Sequence, residues 1–192
     1  MRPRYFPSTA SRNAHSSAVR SITLDSAVPA PWPALAAALP ALVAARDRPA
    51  DFAEARALLQ PFTDAAAAVS IQLAVERGLQ RDATASVLAS ALLAQRLLDG
   101  DAGAVPLQAS AQLGTAASAA DLRDESAAAL LRQWPSAAGV ARGERIQLAL
   151  LAARLRASLR GNDPARPLPA WRVLAIAWRA ARPAPTRSIP PA

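Results

Sequence analysis

From Trp32 to about residue 182, apolar residues recur at the three- and four-residue spacing of an α-helix, and little in the chain offers an alternative. Aromatic residues make up 4 % of the sequence, β-branched residues are sparse, and alanine supplies much of the 52 % apolar fraction. A sheet needs β-branched and aromatic side chains to fill its pleated faces, so no strand is expected and the chain reads as all-α. Glycine and proline then punctuate the helical pattern.

The first helix is expected near 33–46, with Leu35, Leu39, Leu42 and Val43 on its packing face and a kink or break at Pro40. Asp51 followed by Glu54 has the logic of a capping box and opens a helix over 52–78, bent or interrupted at Pro61 and ended by Gly78. A third helix covers 82–98 and stops at Asp99-Gly100. Pro106 starts a short helix closed by Gly114, and Ser118 with Asp121 caps another over 119–134. Over 142–160, Leu148, Leu151, Leu155 and Leu159 form an apolar stripe, and Arg142, Arg145, Arg156 and Arg160 form a flank beside it. WRVLAIAWRAAR closes the helical region. The organisation expected is a leader over 1–29 that reads as disordered, one helical domain over 30–182, and a Pro-rich tail over 183–192.

Composition removes several chemistries. There is no cysteine, and His15 in the leader is the one histidine, so thiolate metal sites, His-ligated metals and Ser-His-Asp catalysis are not expected. No Gly-rich phosphate loop followed by Lys-Ser/Thr occurs. All 22 basic residues are arginine, which a GC-rich coding sequence explains, but the net charge of +8 still favours anionic partners. Nucleic acid is not the expected one, because the arginine flank comes without a reading helix or interleaved aromatics. No apolar run is long enough to span a bilayer, and PWPALAAALPALVAA is broken by Pro40. No apolar segment follows the N-terminal arginines as in a secretory signal, so a cytoplasmic location is expected, with peripheral membrane contact as a secondary reading.

Carboxylates are what remain for chemistry. Asp47 and Asp51 have the spacing of one helix face, but Pro49 lies between them and Asp51 serves as a cap. Asp121, Asp124 and Glu125 suit the electropositive first turn of a helix. Asp99 and Asp101, in LLDGDAGAVPLQ, follow a helix C-terminus, where acids are mildly unfavourable, and so call for another explanation. Their plainer reading is a solvated turn.

Three segments carry a resemblance. ARALLQPFTDAAAAVSIQLA, LLAQRLLDGDAGAVPLQASAQLG and LPAWRVLAIAWRAAR resemble, in order, the cavity helix, the second acidic segment and the last helix of the squalene/phytoene synthase family. The resemblance implies a helical bundle like a truncated isoprenoid-synthase fold, from a short, divergent, bacterial-type member. In that family two prenyl diphosphates are joined while Mg²⁺ ions, clamped between two aspartate-rich segments, neutralise the leaving group. Here the first acidic helix is missing. Arg96 stands where the family arginine is expected, but Leu97 and Leu98 follow where an aspartate should be.

Arg96, Asp99 and Asp101 are therefore expected to be a vestigial metal or diphosphate segment in a pseudoenzyme without prenyl transfer and without a resident cofactor. Such a protein would bind a prenyl or lipid ligand, a partner protein or a second copy through faces that helices 52–78 and 82–98 leave uncovered. The alternatives are an active Mg²⁺-dependent prenyltransferase and an unrelated helical adaptor. Trp171, Leu174 and Trp178 share a face beside Arg172, Arg179 and Arg182. Packing of both tryptophans into the core is the expectation, and peripheral contact with a membrane through them is the alternative.

Overall fold

A computed structural model describes residues 31–74, 78–114, 116–164 and 166–182, so the expected leader and tail lie outside the described residues. Within them the chain is an all-α bundle without strands. Its helices are α1 (Pro31–Ala44), α2 (Phe52–Leu73), α3 (Arg81–Leu98), α4 (Leu107–Leu113), α5 (Ala119–Arg132), α6 (Arg142–Ser158) and α7 (Ala170–Ala181), with a 3-10 turn at Ala102–Ala104. None of the described helices is long and apolar enough to cross a membrane.

Helix α3 is the centre of the packing. It lies against α2, α5 and α6, and Val87, Ala91, Leu93, Ala94, Leu97 and Leu98 are all buried along it. Small alanines and a serine between the larger side chains let neighbouring helices approach on several sides at once. The main core joins Phe52 and Leu59 of α2, Leu93 and Leu97 of α3, Leu130 of α5 and Leu155 of α6. Val87, Val140 and Leu148 form a smaller cluster, and Trp134 packs against both.

The expected starts of α2 and α5 hold, because their caps are real. Asp51 accepts a hydrogen bond from the Glu54 amide at 2.8 Å, and the Glu54 carboxylate accepts from the amide of Ala50. Ser118 and Asp121 close a full capping box, with Ser118 Oγ accepting from the Asp121 amide at 3.2 Å and Asp121 Oδ2 accepting from the Ser118 amide at 2.9 Å.

Other expectations need correction. α2 ends at Leu73, short of Gly78; Val69 is its last buried residue, Ile71 is half-buried and Leu73 is already exposed. A helix extends as far as packing supports it. α5 stops at Arg132 and α6 at Ser158, so Leu159 sits at the helix end, partly exposed and off the buried stripe of Leu148, Leu151 and Leu155. Both Pro40 and Pro61 lie inside continuous helices.

The exposed apolar faces also fall elsewhere than expected. α2 and α3 are covered by neighbours on both sides. α1 rests mainly on α2, and α7 mainly on α6, so each outer helix has an uncovered face. On α1, Leu35 and Leu42 turn inward, but Leu39 and Val43, expected in the core, are exposed with Trp32. On α7, Val173, Ile176, Ala177 and Ala180 face inward.

Candidate functional site

The segment that holds Asp99 and Asp101 is a helix terminus tied down at both ends. Asp99 is the residue that closes α3, and Gly100 follows with a φ of 78°. The Gly100 amide donates to the Leu97 carbonyl at 3.2 Å and the Asp101 amide to the Arg96 carbonyl at 3.0 Å. This pair of bonds is the Schellman motif, which requires a left-handed residue and hence favours glycine at position 100. Asp99 Oδ1 accepts from Gln95 Nε2 at 2.7 Å, one turn back on the same helix.

Asp101 then begins the 3-10 turn. Its Oδ1 accepts from the Gly103 amide at 2.8 Å and its Oδ2 accepts from Arg96 Nε at 2.6 Å. Partial burial works against the charge on Asp101. The Arg96 hydrogen bond, the Gly103 amide and the nearby charges of Arg96 and Arg46 outweigh it, so the carboxyl titrates below the usual carboxylate value.

Across from this turn runs the connection between α1 and α2. Arg96 Nη1 donates to the Ala45 carbonyl, Arg48 Nε donates to the Val105 carbonyl at 3.0 Å, and Arg48 Nη2 reaches Ser110 Oγ at 2.7 Å. The Leu107 amide donates to the Pro49 carbonyl and the Gln108 amide to the Ala50 carbonyl, at 2.9 and 3.0 Å. Gly103 passes so close that an added Cβ would fall 2.4 Å from the Arg46 carbonyl oxygen. Arg96 and Asp101 are thus paired in a fastening between two parts of the bundle, while the exposed Asp99 bonds back to Gln95.

A Mg²⁺ ion prefers near-octahedral oxygen ligands and usually one or two free carboxylates. Here both Asp101 oxygens and one Asp99 oxygen already accept protein hydrogen bonds, and a guanidinium sits beside Asp101. These residues do not fit the ion. Among the described residues, no group of three or more acidic or histidine side chains is gathered as ligands. Asp51 is engaged as a cap, and Glu125 pairs with Arg132 at 2.9 Å. The hollow next to Asp101, about 200 Å³ and bordered by Arg48, Leu122 and Arg123, is smaller than the ligand pockets typical of proteins.

Larger concave surfaces lie elsewhere, along α6 and α7. One groove of about 810 Å³ has Trp134 and Leu148 in its wall and collects Arg145, Arg156, Arg179 and Arg182 with no acidic residue in its lining. Another, of about 550 Å³, runs between α3, α6 and α7. The arginine flank expected on α6 is divided by the fold. Arg145 is tied inward, donating to the Val140 carbonyl at 2.9 Å, while Arg156 and Arg160 are exposed.

The tryptophans of α7 overturn the expectation of core packing. Trp171 is 71 % exposed, Leu174 70 % and Trp178 65 %, and the Arg182 guanidinium lies 4.9 Å from the centre of the Trp178 ring. The inward side of α7 is taken by Val173, Ile176 and two alanines, which fit the alanine-rich surface of α6 more closely than an indole could. Comparison with protein-family models, with characterised proteins and with solved structures gives no match, so a functional reading rests on the geometry of this chain.

Proposed function

We propose that this chain is a non-catalytic helical binding protein of the lipid class that docks on anionic membrane surfaces through α7. The observation that carries the reading is the outer face of α7, where Trp171, Leu174 and Trp178 are all at least 65 % exposed and share a side of the helix. Indole rings prefer the headgroup boundary of a bilayer, where the ring is apolar and its N–H stays wet. Arg179 and Arg182 sit on the same helix beside the tryptophans and belong to the acid-free groove of four arginines. An aromatic stripe bordered by cations is the pattern of a helix that lies in an interface.

The non-catalytic part of the proposal is supported by the engagement of Asp99 and Asp101 in helix-end and turn hydrogen bonds. A squalene/phytoene synthase ancestry would give that lipid preference a source, as a fold retained after its metal segment became a structural fastening.

Sedimentation with vesicles tests the proposal. Vesicles of phosphatidylcholine containing phosphatidylglycerol should carry the protein down at low salt, and pure phosphatidylcholine should carry far less. A Trp171→Ser, Trp178→Ser double variant should remain in the supernatant with its helical circular dichroism unchanged. Equal sedimentation of the double variant, or none of the wild type, would overturn the docking. Incubation with farnesyl diphosphate and Mg²⁺ tests the other half, since any C30 product would end the non-catalytic reading.

A further inference from the structure

The 550 Å³ groove has an apolar end and a cationic end. Its walls are Ile146, Leu150 and Leu151 of α6, Val173 of α7, and Pro167 and Leu168 of the α6–α7 connection, with Gln95 of α3 and Gln147 at the edge. The volume lies within the range of pockets that enclose a small ligand. Gly143 also borders it, and a Cβ added there would meet no other part of the described residues within 4 Å.

Arg154 stands at the other end. It lines this groove and also a second hollow of about 260 Å³, and Pro167 and Leu168 are shared by both. The second hollow contains Arg166 and Arg172 as well as Arg154, with Asp163 as its one acidic group. Arg154 Nη2 donates to the Pro164 carbonyl at 3.3 Å, but its Nε is buried and has no hydrogen-bond acceptor among the described residues. A buried guanidinium N–H without an acceptor is costly, and native proteins rarely leave one in that state. An anion in the second hollow would be met by three guanidinium groups, those of Arg154, Arg166 and Arg172, which line it together.

We infer that the two hollows form one site for a single-chain anionic amphipath. The apolar chain lies along Ile146, Leu150 and Val173, and a phosphate or carboxylate headgroup is held by Arg154 with Arg166 and Arg172. Guanidinium forks suit such headgroups because they offer parallel N–H donors to two oxygens. The inference deepens the lipid-class reading and rests on it for the kind of ligand. It uses the inner side of α7 and not the tryptophan face.

Calorimetric titration with decyl phosphate, decanoate and decanol, each below its micelle concentration, tests the site without any membrane. Decyl phosphate should bind at least tenfold more tightly than decanol, and decanoate shows whether one negative charge suffices. Arg154→Met keeps the apolar stem and should cost tenfold or more against decyl phosphate while leaving decanol binding nearly unchanged. The pair Arg166→Gln, Arg172→Gln, one exposed and one half-buried, gives a second reading if Arg154→Met disturbs the fold, and it should weaken decyl phosphate severalfold. Ile146→Trp, which fills the groove, should weaken all three probes. Equal affinity for decanol and decyl phosphate, or undiminished phosphate binding in both folded arginine variants, would overturn the site. Vesicle sedimentation could still succeed in that case, so the two failures are distinguishable.

Discussion

Replacing Gly103 with alanine tests the claim that LLDGDAGAVPLQ is a fastening. The new Cβ would lie 2.4 Å from the Arg46 carbonyl oxygen, 3.0 Å from Arg96 Nη2 and 3.2 Å from Asp101 Oδ1. The nearest of these is backbone and cannot swing aside, and unstrained contacts of this kind sit at roughly 3.5 Å. The connection between α1 and α2 must therefore retreat by about 1 Å, loosening the bonds from Arg96 to Ala45 and from Leu107 to Pro49. Overpacking of this kind costs about 1–3 kcal/mol, and each weakened hydrogen bond adds up to about 1 kcal/mol. A loss of about 2–4 kcal/mol lowers Tm by roughly 4–16 °C in a domain of this size. Thermal and urea unfolding followed at 222 nm would measure both. Gly143→Ala is the matched control, because it adds the same methyl in the first turn of α6 where nothing lies within 4 Å. It should stabilise by up to about 1 kcal/mol, since alanine gives up less backbone entropy than glycine. If Gly103→Ala unfolds within about 0.5 kcal/mol of wild type, the segment is loose enough to rearrange around an ion, and the argument against a metal site fails with it.

Asp101 has a lowered pKa in the fold, so its stabilisation is present above the ordinary carboxylate value of 3.8 and is lost as pH falls through the lowered one. The deficit of Asp101→Asn against wild type, about 1 kcal/mol at neutral pH for a carboxylate 40 % exposed, should therefore shrink in urea titrations taken below that value. Ser118→Ala removes the cap of α5 and should cost about 1 kcal/mol by the same assay. The two α7 tryptophans present roughly 270 Å² of ring surface, and burying about half of it in an interface gives about 3 kcal/mol. The double serine variant should then lose about a hundredfold in vesicle partitioning, and salt should weaken the wild type further by screening its arginines.

Periodicity and caps make much of the helical order legible in the sequence alone. Asp51 and Ser118 were readable as starts because an acceptor side chain three residues before a free amide is a local arrangement. Where helices end was less legible. The end of α2 follows the fading of burial beyond Val69, and nothing in AVERG announces that loss. The inward side of α1 was misread for a related reason. Leu35, Leu39, Leu42 and Val43 span more of the circumference than one neighbouring helix can cover, and the sequence does not say which part α2 takes.

The acidic segment shows how a local pattern and its tertiary use can diverge. Asp-Gly-Asp after a helix is compatible with ligands for a cation and equally with a Schellman turn whose second acid caps a 3-10 turn. The deciding partners, Ala45 and Arg46, lie some fifty residues upstream. The arginines pose the same difficulty in reverse. Their number is plain in the sequence, but Arg154, Arg166 and Arg172 lie at the end of one helix, in a proline-rich connection and at the start of the next. The fold sets them around one hollow, with Pro167 and Leu168 in its wall, and Arg154 is more buried there than Arg166. A charge excess therefore becomes a candidate binding site through desolvation and convergence, which are properties of the fold and not of composition.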